Sequence, residues 1–216
     1  MADRNDACTR PGACIDPGRT RWVTLLAALL IVALACPAPA PAAGAPWNVA
    51  TLMQLLAGRG SERAVFIEKK FIALLDQPIE SSGELRYVPP DRLEKRTQKP
   101  RPELLVLERG VLTVERGGQT HTLRLADYPE IAAVVDSIRG TLAGDRASLE
   151  RVYRLDLHGT LERWTLVMLP SDARLAALVQ RIDVSGTGDN VRTIGILQAD
   201  GDRSIMTIER VAGASP

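Results

Sequence analysis

YPEIAAVVDSIRGTL, residues 128–142, is the stretch that decides how the rest of this chain must be arranged. Ile131, Val134, Val135, Ile138 and Leu142 recur at helical spacing and share one face. Asp127 is placed to cap the first turn, with Glu130 three positions on as in a capping box and Pro129 where a first turn tolerates it. Gly144 is a natural stop. The spacing therefore predicts an amphipathic helix from Tyr128 to Leu142. Nearly everything else after residue 62 alternates with period two, so this helix must bury its stripe against a curved sheet, as a plug or as a lid.

The strands on either side of it are short and punctuated by turn residues. From Arg63 the apolar positions alternate, with Ala64 and Phe66 facing one way and Val65, Ile67 and Phe71 the other. Glu68, Lys69 and Lys70 interrupt the pattern, which reads as a long edge strand whose charges discourage further pairing. Ile79 to Val88, Leu93 to Gln98, Leu104 to Glu108, Val111 to Glu115 and Thr120 to Leu125 follow, separated by Pro, Gly and Asp turns. Beyond the helix come Arg151 to Leu157, Leu161 to Leu169, Val179 to Ser185, Val191 to Ala199 and Arg203 to Arg210, with His158-Gly159-Thr160 as a turn. Asp172 to Ala177 reads as a helical turn or a loop. About eleven strands without βαβ alternation make the sheet antiparallel. Ahead of them Asn48 can cap a short helix carrying Val49, Leu52, Met53 and Leu56, ended by Gly58 or Gly60.

The first 42 residues do not belong to this pattern. Arg19 and Arg21 precede an apolar run, Val23 to Ala35, that is short for a membrane span, and Ala40-Pro41-Ala42 has the small residues of a cleavage site. Residues 1–42 are therefore expected to be a signal peptide, 43–46 a mobile tether, 47–211 a single domain and 212–216 a tail. A second reading of the same stretch is a lipoprotein signal ending at Cys36. Cleavage after residue 42 would remove Cys8, Cys14 and Cys36, all the cysteines. It would also remove four arginines and three aspartates from a total of 27 basic and 26 acidic residues, leaving the rest balanced. A neutral chain of this kind argues against nucleic acid and gives no general attraction to an anionic membrane.

His121 and His158 have no second histidine or cysteine at ligand spacing, so a zinc site is not expected. No G-x-S-x-G elbow, Walker sequence or HExxH occurs. Gly186-Thr187-Gly188 and Asp200-Gly201-Asp202 read as hairpin turns, because neither a following helix nor further calcium ligands accompany them. No enzyme, no cofactor and no metal are expected.

The order of elements carries a resemblance. A signal peptide, a leading helix, an F-x-x-x-x-F strand, Ser82-Gly83-Glu84-Leu85 and Pro89-Pro90-Asp91-Arg92-Leu93 are similar to the periplasmic outer-membrane lipoprotein carrier (LolA) family. The similarity continues in Arg163-Trp164-Thr165-Leu166 through Pro170, in Val179 through Asp183, and in Asp200-Gly201-Asp202-Arg203, so that it spans most of residues 47–210. The resemblance implies a mainly β fold with a helical lid, an unclosed antiparallel β-barrel of about eleven strands covering apolar helices, as in LolA and LolB. It implies a monomeric carrier in the periplasm, without catalytic residues. Such a carrier takes the acyl chain of a lipoprotein or lipid from an inner-membrane exporter to an outer-membrane acceptor. Two departures mark a divergent member. Pro89 stands where the family has an arginine that helps hold the lid shut, and aromatic residues make up only 4% of the chain.

On this reading the cavity lining comprises Phe66, Leu85, Leu93, Val134, Ile138, Leu142, Trp164, Leu166, Met168, Ile182, Val184, Ile194, Ile196, Met206 and Ile208. The same residues would also serve as the ordinary core of a dry sheet. Arg92, Lys95, Arg96, Lys99 and Arg101 cluster in sequence and are either a solvated edge or a docking surface for an acidic partner or lipid head group. If the core is dry, the alternative function is a structural or docking module of an envelope or lipid-export assembly.

Overall fold

A computed structural model describes residues 46–211. The expected signal peptide with Cys36, most of the tether and the tail 212–216 lie outside them. Helix α1 (Val49–Ala57) begins where Asn48 was expected to cap it, the Asn48 side chain accepting a hydrogen bond from the Thr51 amide at 3.1 Å. It stops at Gly58 and buries Leu52, Met53 and Leu56.

The strands are β1 (Glu62–Phe71), β2 (Ile79–Val88), β3 (Arg92–Lys99), β4 (Glu103–Glu108), β5 (Val111–Arg116) and β6 (Gln119–Arg124), then β7 (Tyr153–Thr160), β8 (Arg163–Pro170), β9 (Val179–Thr187), β10 (Asn190–Gln198) and β11 (Arg203–Arg210). They form one antiparallel sheet in the order β6-β5-β4-β3-β2-β1-β11-β10-β9-β8-β7. The two ends, β6 and β7, are not paired with each other, so the barrel is unclosed. This is the mainly β, eleven-stranded architecture expected from the sequence.

Two local expectations are corrected. β1 is not an edge strand: it is the central strand of the sheet, paired with β2 on one side and β11 on the other. Its charges do not discourage pairing, because Lys69 points away from the concave face while Glu68 is buried within it. The segment 158–160 is not a turn. β7 runs through His158, Gly159 and Thr160, which pair with Thr165, Trp164 and Arg163, and the chain reverses at Leu161 and Glu162.

Between the two halves of the sheet run a 3-10 turn (Leu125–Asp127), α2 (Pro129–Ala143) and a one-turn helix, α3 (Arg146–Glu150); α4 (Ala173–Ala176) follows β8. α2 is the helix of residues 128–142, with Pro129 in its first turn, but its N-cap is Tyr128 and no side chain caps it. Asp127 instead belongs to the 3-10 turn, 3.7 Å from Arg124. Gly144 ends α2 in the left-handed conformation, at φ 66°. A Cβ there would run into the Met53 carbonyl oxygen, so glycine also permits the close approach of α2 to α1.

α1, α3 and α4 cover one half of the concave face. Leu52, Met53 and Leu56 from α1, Leu149 from α3 and Leu175 from α4 pack with Trp164, Leu166 and Met168 of β8 and Ile182 and Val184 of β9. Trp164 lies against Gly186 and donates its indole N–H to the Gly188 carbonyl at 2.8 Å.

Candidate functional site

Antiparallel register assembles the concave face in rows. One runs Leu157–Leu166–Val184–Ile194–Met206–Glu68–Ser81 across β7, β8, β9, β10, β11, β1 and β2. The neighbouring row runs Leu155–Met168–Ile182–Ile196–Ser204–Lys70. Both begin dry and end open. Leu166, Met168, Ile182 and Val184 are sealed beneath the helices, whereas Ile194, Ile196, Met206 and Lys70 line an apolar cleft of about 500 Å³.

The other wall of that cleft is α2, and its orientation differs from expectation. The side of the helix that is fully buried carries Ser137, Gly140 and Thr141, not the apolar stripe. Gly140 lies against Leu149, and the hydroxyls are satisfied within the helix, Ser137 donating to the Val134 carbonyl at 2.6 Å and Thr141 to the Ser137 carbonyl at 2.7 Å. Their burial therefore leaves no polar group unpaired. Val134, Ile138 and Leu142 stay half-buried at the border of the core and line the cleft, while Ile131 is exposed.

The fifteen residues read as a single lining from the sequence thus divide. Leu85, Leu93, Val134, Ile138, Leu142, Ile194, Ile196, Met206 and Ile208 border the cleft. Trp164, Leu166, Met168, Ile182 and Val184 belong to the closed core. Phe66 is buried beneath Lys95, whose ammonium stands 5.0 Å from the ring centroid.

The five basic residues do not form one surface. Lys95 points into the concave side and pairs with Glu68 at 2.5 Å. Arg92, on the opposite face, is held by Glu94 at 2.6 Å and Glu108 at 2.8 Å. Arg96, Lys99 and Arg101 are exposed. Alternation in β3 separates what sequence proximity had grouped.

Two charged clusters in the cleft wall were not anticipated. The first is Glu68 with Lys95, the carboxylate almost removed from water and the ammonium side chain partly exposed. Its signal was available, since Glu68 has the parity of the inward-facing Phe66. The second lies six residues back along β1. Arg59 donates from Nε to Glu62 at 3.1 Å and also from Nη2, and Arg210 donates to the same carboxylate at 2.5 Å. Arg210 also reaches Asp189 at 3.3 Å. Burial, and then the repulsion of Arg210, hold the Arg59 guanidinium down to about 10. No sequence pattern connects Glu62 with a partner 148 positions away.

A wider groove, of about 820 Å³, opens between α2, α3 and α4. Its walls carry Asp136, Arg139, Arg151 and Asp172 alongside Leu125, Ala133, Leu149 and Leu175.

Residues 40–215 match a family described as outer membrane lipoprotein carrier protein LolA-like. No curated protein matches. Among solved structures, a LolA superfamily protein from Nitrosomonas europaea is similar at 10% identity, with 76% of this chain and 92% of that chain covered and a TM-score of 0.42. LprF from Mycobacterium bovis is 12% identical, with coverages of 77% and 94% and a TM-score of 0.33. The Pseudomonas aeruginosa MucA/MucB complex is 15% identical, with coverages of 79% and 59% and a TM-score of 0.44.

Proposed function

This chain belongs to the outer membrane lipoprotein carrier protein LolA-like family, and from that premise we propose that it is a non-enzymatic carrier. The acyl chains of a lipoprotein or of another acylated lipid occupy the cleft between α2 and the sheet. They are carried across the periplasm from an inner-membrane exporter to an outer-membrane acceptor.

The observation that supports this reading is the unequal filling of one concave face. Where α1, α3 and α4 lie, side chains from both layers close the core. Beside it, on the same concave face, Ile194, Ile196, Met206, Ile208, Leu85 and Leu93 face Val134, Ile138 and Leu142 across a space of about 500 Å³. That volume is in the usual range for ligand cavities. An acyl chain needs no directional partner there, since each methylene withdrawn from water contributes about 0.8 kcal/mol.

α2 is the element suited to gating. It is anchored by its small, hydroxyl-bearing side and at Gly144, and its apolar stripe is left for a ligand. Loading and release then follow from movement of α2 relative to β1, β10 and β11.

Native mass spectrometry of the protein isolated from the periplasm, followed by lipid extraction, tests the proposal. The expected result is a stoichiometric acyl species that is lost on denaturation. A ligand-free mass, together with no uptake of a fluorescent fatty acid, would refute it.

A further inference from the structure

We propose that the cleft carries an oxyanion subsite at the Arg59–Arg210 end, and that the occupant is an acyl amphiphile with a carboxylate or phosphate head group. The inference rests on the carrier reading above and adds the chemistry of the head group to it.

Arg59, Glu62 and Arg210 all belong to the wall of the cleft. The Arg59 side chain is only 5% exposed. Two guanidinium groups share the one carboxylate of Glu62, and their remaining acidic neighbour, Asp189, is half exposed and touches Arg210 alone. Among the described residues, Nη1 of Arg59 and Nε of Arg210 are shielded from solvent and have no hydrogen-bond partner. A buried donor left in this state is costly, and for a charged group more so.

Two cations are held side by side against Glu62, and the second carboxylate, Asp189, is half exposed and bonds to Arg210 only, so an anion seated in the cleft can take its place beside the two guanidinium groups. It would supply acceptors for the orphan N–H groups and offset the burial and, after it, the repulsion of Arg210 that depress the Arg59 proton affinity. Both side chains belong to the cleft wall, so the acceptor comes from a head group seated against that wall. The adjoining residues along β1 and its neighbours are apolar, with Leu85 beside Ala64 and Ile208 beside Phe66. A ligand with its acidic head at Arg59 and Arg210 therefore lays its chain on that surface.

The test compares palmitate, a monoacyl glycerol phosphate of the same chain length, and uncharged hexadecanol. Each displaces a fluorescent fatty acid from the full-length protein. Both acidic lipids are expected to bind roughly tenfold or more tightly than the alcohol, the size of a charge-assisted hydrogen bond. In Arg210→Gln the acid-to-alcohol ratio should fall towards one, and Arg210→Lys should retain part of it. Their mutual ratio in the wild type identifies carboxylate or phosphate as the better head group.

A ratio that survives Arg210→Gln, or an alcohol that binds as well as the acids, would overturn the subsite and leave the carrier reading intact. Failure of all three lipids to bind would overturn both. Inorganic phosphate binding as tightly as the monoacyl phosphate would point to a free-anion site and overturn the head-group assignment.

Discussion

Ile138→Asp separates folding from ligand binding in this architecture. Ile138 is half-buried on the cleft side of α2, and the fully buried side of that helix is formed by other residues. Losing its partial apolar burial and its better helix propensity costs about 1–2 kcal/mol. The new carboxylate remains hydrated while the cleft is empty, so the sheet should stay folded. With an acyl chain in place, the same carboxylate is cut off from water, and Arg59, Lys95 and Arg210 in the cleft wall are already paired with carboxylates. An uncompensated buried charge costs about 3–5 kcal/mol, so affinity for a fluorescent fatty acid should fall by roughly a hundredfold or more. Binding should partly return as the pH drops towards the ordinary aspartate range of about 4. Ile205→Asp is the matched control, because Ile205 is exposed on the opposite face, paired in register with Lys69 and Gly195. Circular dichroism and urea unfolding establish that each variant is folded. A folded Ile138→Asp protein that binds the probe as the wild type does would remove α2 from the mechanism.

Lys95→Met should lower stability to urea by about 2–4 kcal/mol, because it strands Glu68 in the cleft wall with only Ser81 at 3.5 Å and Lys70 at 4.0 Å in reach. Adding Glu68→Leu should recover most of the loss, and equal stability of the single and double variants would contradict a buried pair. Burial pushes the Tyr153 phenol up to about 12, so its proton is held more tightly in the folded state than in the unfolded one. The corresponding stability is complete below about pH 10 and lost as the pH rises to about 12; it amounts to about 2–3 kcal/mol. Tyr153→Phe should flatten urea-unfolding stability across that window.

Much of this molecule is written locally. Ile79–Val88 and Arg203–Arg210 have the bounds read from alternation and turn residues, and Asn48 and Gly144 bound their helices as capping chemistry requires. α3 escaped notice because one turn has no periodicity, although Asp145 accepting from the Ser148 amide is its cap. What was misjudged depends on partners far along the chain. β1 looked like an edge because Glu68 carries charge, yet its neutralising partner, Lys95, is 27 positions away on β3. α2 was expected to bury its most apolar face. Hydrophobicity alone does not anticipate that Ser137 and Thr141, by bonding to their own helix, become small enough and satisfied enough to pack instead.

The division of the sheet follows from that exchange. An unclosed sheet has more concave surface than one helix covers, and α1, α3 and α4 are spent on β7, β8 and β9. Had α2 turned Val134, Ile138 and Leu142 wholly into the same core, Met206 would face water with nothing opposite it. By packing through Ser137, Gly140 and Thr141, α2 holds its apolar side over the uncovered strands at a distance that protein atoms do not fill. Leu166 and Met206 lie in one row of one sheet, yet the first has Leu52, Met53 and Leu56 in its core cluster and the second has a cleft. A flexible apolar strip suits that second half, and the acyl chain proposed above is one.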